Sequence, residues 1–190
     1  MILQDCARRP RDRAARARAY DVRVAEMDVA ALARAYYLDD RNQFGCAETA
    51  FIVLKGAYGL DDPMDAGAAM ALNGGVAYSG GACGAITGAA LAVGMLADRR
   101  IDDHGAAKRV ARELVARLMD DFRDEHGAVD CRDLIGYELR APGQHEAFIA
   151  GGTWRDRCMR QVEFTVTRLA PLADEDAWTA AVRDLDAAAP

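Results

Sequence analysis

The sequence holds no close pair of cysteines: Cys6, Cys46, Cys83, Cys131 and Cys158 stand far apart along the chain. That excludes the paired spacing of common structural zinc sites, the usual ferredoxin runs and a C-x-x-C redox pair. Histidine is scarce. His104, His126 and His145 fall near helix ends or loops and are expected as surface or capping residues. No Ser-His-Asp set or carboxylate pair can be assembled, and Asp61-Asp62 and Asp102-Asp103 read as loop acids. The longest uncharged stretch, 76–97, is rich in glycine and alanine. Its helical part falls short of the roughly 20 strongly apolar residues of a membrane span. Arg8-Arg9 is not followed by the apolar stretch of an export signal. The cysteines are therefore expected in a reducing cytoplasm, where a cysteine set points to metal or redox chemistry rather than cross-links.

What is present is a helical composition. Of 190 residues, 52% are apolar, enough for a core that needs no disulfide staples. Much of that fraction is alanine, which favours closely packed helices. The net charge of -6 argues against wholesale nucleic-acid binding. Residues 1–25 carry seven arginines against Asp5, Asp12 and Asp21, a balance of +4, so the remainder stands at -10. Three parts are expected: an arginine-rich arm over 1–25, a four-cysteine helical redox domain over 26–172, and a terminal helix or tail over 173–190. The arm reads as a solvated segment or first helix, the alternative being an arm that docks an acidic partner or nucleic acid.

Hydrophobic periodicity predicts helices over 27–39, 45–58, 64–72, 83–96, 105–125, 131–136 and 154–169, with a further helix or frayed tail over 174–188. A loop-rich stretch is expected between Pro142-Gly143 and Gly151-Gly152, and no strand shows convincing alternation. The fold class is all-α, a compact multi-helix bundle. Gly84, Gly88 and Ala92 lie four apart and leave one helix face nearly bare. That Gly/Ala-rich helix is placed at the centre of the bundle, and its bare face equally suits a second subunit, so a homodimer is expected.

Cys46, Cys83 and Cys131 each fall at or just before a predicted helix start, and Cys158 lies in the first turn or so of another. Helix N-termini offer unpaired N–H groups and positive partial charge, which lower a thiol pKa. Any single buried cysteine is as readily a small hydrophobe. The shared placement is what points to a working site, and separations of 37, 48 and 27 residues mean that only the tertiary fold can assemble it. Cys6 has no such context. Gly74, Gly75, Gly80, Gly81 and Gly84 surround Cys83; they permit either N–H approach to sulfur or a plain tight helix junction. The stretch lacks the Lys-Ser/Thr of a P-loop and follows a helix, so nucleotide binding is a poor reading. Glu48, two residues after Cys46, reads as a first-turn helix acid rather than a group supporting the cysteine.

The run Gly45-Cys46-Ala47-Glu48, then Gly80-Gly81-Ala82-Cys83-Gly84-Ala85-Ile86-Thr87-Gly88, then Asp130-Cys131-Arg132 through Tyr137, and finally Arg157-Cys158, resembles a redox-active four-cysteine family named for its cysteine pattern. The resemblance covers about residues 30–172, and Cys-Gly-Ala-x-x-Gly is its most specific element. It implies an all-helical fold and a redox-linked role. A related domain occurs in split-Soret cytochromes, where it is associated with an iron–sulfur centre; this chain has no C-x-x-C-H haem motif. The leading expectation is a [2Fe–2S] cluster on Cys46, Cys83, Cys131 and Cys158, serving electron transfer with an unidentified redox partner protein. The rival is a metal-free thiol–disulfide oxidoreductase or sulfur carrier with Cys83 as nucleophile. A third reading is an adaptor whose cysteines are inert. Whether the chain is an enzyme is left open by the sequence.

Overall fold

Alanine-rich amphipathic segments, each stopped by a cap or a glycine, set the elements of this computed structural model, which describes residues 28–39, 41 and 43–187. The arginine-rich arm and Cys6 lie outside the described residues. Helix α1 (Val29–Tyr37) starts where the Asp28 carboxylate accepts the Ala31 N–H at 2.9 Å. It is followed by α2 (Cys46–Ala57), a six-residue 3₁₀ segment (Gly67–Leu72), α3 (Gly84–Arg100) and α4 (His104–His126). Then come α5 (Cys131–Ile135), α6 (Gln144–Ala150), α7 (Met159–Leu169) and α8 (Glu175–Ala187). The result is an all-α, compact multi-helix bundle with no strand among the described residues. None of the described helices is long and apolar enough to cross a membrane.

Helix α2 packs on α3, α3 on α4, and α1 on both α2 and α7. Ile52, Leu54, Leu96, Leu118, Phe122, Val162 and Val166 fill the interior between them. The four-apart series Val110, Leu114, Leu118 and Phe122 forms the buried stripe of α4, and Gly127 ends that helix in the left-handed conformation at φ 83°.

Four sequence expectations change. The helix expected over 64–72 is a shorter 3₁₀ segment. The buried Lys55 ammonium donates to the Asp62 and Asp65 carbonyls at 2.7 and 3.0 Å, and Asp62 O also accepts the Asp65 N–H, which holds this stretch as a turn. The 143–151 loop contains α6, which buries Phe148 against Tyr137. The helix expected from Trp154 begins as a π-helical turn, Trp154–Cys158, before continuing as α7. Asp103, read as a loop acid, caps α4 by accepting the Ala106 N–H at 2.7 Å.

His126 ends α4 with its ring between Phe122 and Phe164, at centroid distances of 4.4 and 5.2 Å, and its Nε2 has no hydrogen-bond partner. Burial lowers its pKa from the ordinary imidazole value. A base whose folded pKa is depressed binds its proton more readily in the unfolded chain. Its contribution is therefore intact above the unfolded value of about 6.5 and is lost as pH falls through it. Thermal midpoints measured between pH 7.5 and 5 should fall less steeply in His126→Asn than in the parent. Parallel curves would remove His126 as the cause.

Candidate functional site

The four cysteines of the pattern arrive from separate elements. Cys46 is the first residue of α2, Cys83 the N-cap of α3, Cys131 the first residue of α5, and Cys158 the last residue of the π turn. All four are free thiols; Cys83, Cys131 and Cys158 are buried and Cys46 is partly so. An isolated antiparallel bridge between Ala82 and Asp130 ties two of them together. In it the Cys83 N–H donates to Val129 O at 2.8 Å and the Cys131 N–H donates to Gly81 O at 2.7 Å.

The glycines explain how Cys46 comes close. A Cβ on Gly84 would collide with the Cys46 Sγ, so the thiol of α2 lies in the space left beside Cys83. A Cβ on Gly88 would drive into the Ala47 carbonyl. The Cys-Gly-Ala-x-x-Gly spacing thus places two bare positions one turn apart, against the residues that open α2. The tight-junction and N–H-approach readings of these glycines both hold. The Gly74 and Ala47 N–H groups favour the Cys46 thiolate, and the Ala85 N–H favours that of Cys83.

The expectation of lowered thiol pKa values is overturned. Burial pushes Cys46 up, those N–H groups notwithstanding. Burial, joined by the charges of Cys46, Cys131 and Cys158, holds Cys83 well above its ordinary value. Cys131 is pushed up to about 12 by burial, then by Cys46 and Asp130. Cys158 is raised by burial and by Cys46 and Cys131, against the Tyr37 hydroxyl and the charge of Arg157. Loss of water around sulfur outweighs the helix termini, and each thiolate would be repelled by the others. These mutual repulsions also mean that the four sulfurs share one electrostatic neighbourhood.

Sequence reasoning missed three supporting side chains. The buried Tyr37 is coupled to Cys158, and its hydroxyl favours the Cys158 thiolate. Gln161 Oε1 accepts the Cys83 S–H at 3.6 Å. Asn73 Oδ1 accepts the Ala47 N–H at 2.9 Å and the Cys46 S–H at 3.7 Å, while its Nδ2 donates to Glu48 Oε2 at 2.8 Å. Glu48 Oε2 also accepts the Gly45 N–H at 2.9 Å, so it is the first-turn acid expected and additionally holds Asn73 toward Cys46. The directness of Asn73 before Gly74-Gly75 was the available signal. The histidines stand elsewhere: His145 packs on Tyr78, His104 faces solvent beside Asp98, and His126 sits among phenylalanines.

The glycine turn itself is unusual. Residues 74–78 all have positive φ, including Val76, Ala77 and Tyr78 at 61°, 50° and 60°. The Arg140 side chain donates to Ala77 O at 2.8 Å and Arg132 to Ser79 O at 3.1 Å, pinning the turn from the segment that follows Cys131.

A family model for a "Putative redox-active protein (C_GCAxxG_C_C)" matches residues 44–172. The chain belongs to this C_GCAxxG_C_C family. The match spans all four cysteines, with Cys83 to Gly88 supplying the pattern's glycine-containing element and Cys46, Cys131 and Cys158 its single cysteines. No curated protein and no solved structure gave a match. As a member of this family the chain is a redox-active cysteine protein. The donor chemistry of its site, four sulfurs with N–H groups directed at two of them, suits a thiolate-bound centre. Among the described residues, however, no three His, Cys, Asp or Glu side chains are arranged to hold a metal ion.

Proposed function

We propose that Cys46, Cys83, Cys131 and Cys158 hold an iron–sulfur cluster, [2Fe–2S], through which the protein transfers electrons. The observation that carries this reading is four free thiols, brought from separate elements, that repel one another in a buried setting when deprotonated. A bound cluster supplies one-electron redox chemistry and the positive charge that makes neighbouring thiolates tolerable. The chain's own part is to gather the sulfurs, exclude water around Cys83, and direct the Gly74 and Ala85 N–H groups at Cys46 and Cys83. In this reading the Gly/Ala-rich α3 is the centre of the bundle, and the protein works as a homodimer in the reducing cytoplasm.

One observation favours a second reading, a metal-free thiol–disulfide oxidoreductase or sulfur carrier with Cys83 as nucleophile: the thiols do not converge on a single-ion site among the described residues. Against it, a nucleophilic cysteine needs thiolate near neutral pH, and Cys83 is pushed the other way. Protein purified without oxygen decides between them. The cluster reading expects iron and acid-labile sulfide in matched amounts, with a visible spectrum lost in Cys83→Ser. Colourless, metal-free protein with four titratable thiols in the 28–187 region would sink it in favour of disulfide chemistry.

A further inference from the structure

Electrons exchanged with a buried centre need an entry point, and the segment leading into Cys158 has three independent features of one. The first is its backbone. Trp154–Cys158 forms a π-helical turn, a conformation found in well under about 1% of residues and frequent at functional sites. The second is a line of aromatic rings. Trp154 is half-buried, and its ring meets the edge of the buried Tyr37 ring with centroids 5.9 Å apart. Tyr37 in turn is electrostatically coupled to Cys158, whose thiolate its hydroxyl would favour. Two conjugated rings in edge contact therefore lie between the surface and the cysteine neighbourhood.

The third feature is charge. Arg155 lies over the Trp154 ring with its guanidinium carbon 4.8 Å from the centroid, and Arg157, which also donates to Leu134 O at 3.3 Å, and Arg160 are exposed further along the same segment. Asp156 is the one acid in the run 154–160, giving a local balance of +2 on a chain whose net charge is -6. Against the -10 carried by residues 26–190 as a whole, a positive run attracts an acidic partner.

We propose that the segment carrying Trp154, Arg155, Arg157 and Arg160 is the docking surface for an acidic electron-carrier protein that exchanges electrons with the cysteine centre. This rests on the redox reading given above. In each encounter one electron leaves the reduced carrier, which is oxidised, and reduces the cysteine centre; no bond forms or breaks.

The test uses the full chain and a reduced plant-type ferredoxin of strongly acidic surface as the probe carrier, with association followed in a stopped-flow instrument. Arg155→Glu/Arg160→Glu is expected to lower the association rate constant about tenfold at low salt and to flatten its salt dependence, the signature of lost electrostatic steering. The distant surface change Arg123→Glu should stay within about twofold, since a charge that does not face the partner contributes little beyond a Debye length. Failure of the ferredoxin to associate, or equal losses in both variants, would overturn the docking surface. Dithionite titration separates this from the underlying reading. A centre that dithionite reduces while the carrier ignores Arg155 and Arg160 overturns the surface alone. A protein whose spectrum and thiol count dithionite leaves unchanged overturns the redox reading and this inference with it.

Discussion

Gly88→Ala is expected to cost about 3 kcal/mol of stability, and Gly94→Ala, six residues along the same helix, to add about 0.5–1 kcal/mol. In helix interiors alanine is ordinarily the better residue, because glycine loses more backbone freedom on folding. At Gly94 nothing lies within 4 Å of the added methyl group, so that preference acts alone. At Gly88 the methyl would run into the Ala47 carbonyl oxygen and approach the Ala47 C and Cα to 2.8 and 2.9 Å. These are backbone atoms, which cannot swing aside as a flexible side chain can. Helices α2 and α3 would have to separate, opening the interior where Val53 and Ala89 are fully buried. Because Ala47 follows Cys46, the same displacement would move that sulfur away from Cys83. Urea unfolding of the two variants side by side checks the sign reversal, and a Gly88→Ala protein as stable as the parent would refute the close approach.

Asn73→Asp is expected to be nearly as harmful, at about 3 kcal/mol, although it changes the side chain by one atom. The new carboxylate keeps the oxygen that accepts the Ala47 N–H but replaces the donor facing Glu48 with a second acceptor of the same charge. Glu48 is only 7% exposed, so water cannot separate the two. Adding Glu48→Gln should recover more than half of the loss. Both bonds use Glu48 Oε2, so a glutamine nitrogen set there donates to the new aspartate at the expense of the Gly45 N–H bond, and the rescue is incomplete. The rescue is therefore a statement about donor and acceptor direction, not about side-chain size. If unfolding curves show Glu48→Gln adding to the damage instead, the Glu48–Asn73 bond is not what orders the start of α2.

Much of the fold was legible because the chain declares its helices locally. The four-apart apolar series of α4 and the glycine after it set that helix to within a residue at each end. Elements governed by distant partners were not legible. Nothing near Pro63 in the sequence shows that Lys55 will take the Asp62 and Asp65 carbonyls, and nothing in the Trp154 run announces a π turn. The cysteines were conspicuous as residues, and their approach was foreshadowed by Gly84 and Gly88. Their electrostatics were misjudged because helix termini can be read from sequence, whereas the burial that outweighs them depends on packing. Tyr37 and Asn73 escaped notice for a related reason: each acts on a cysteine from which it is separated by tens of residues.

The left-handed turn over 74–78 bears on the order in which the molecule assembles. For residues other than glycine this conformation is intrinsically uphill, by roughly 1–2 kcal/mol apiece, and a β-branched residue such as Val76 is among the worst suited to it. Such a segment cannot seed structure by itself. Its local backbone bonds are joined by Arg140 on the Ala77 carbonyl and Arg132 on the neighbouring Ser79 carbonyl, both more than fifty residues downstream. The Gly74 N–H that faces Cys46 is thus set late, after the helices that flank it. The surroundings of the first cysteine are completed by a part of the chain the ribosome makes long afterwards, so a nascent chain that stops short of Arg140 holds Cys46 without its finished enclosure.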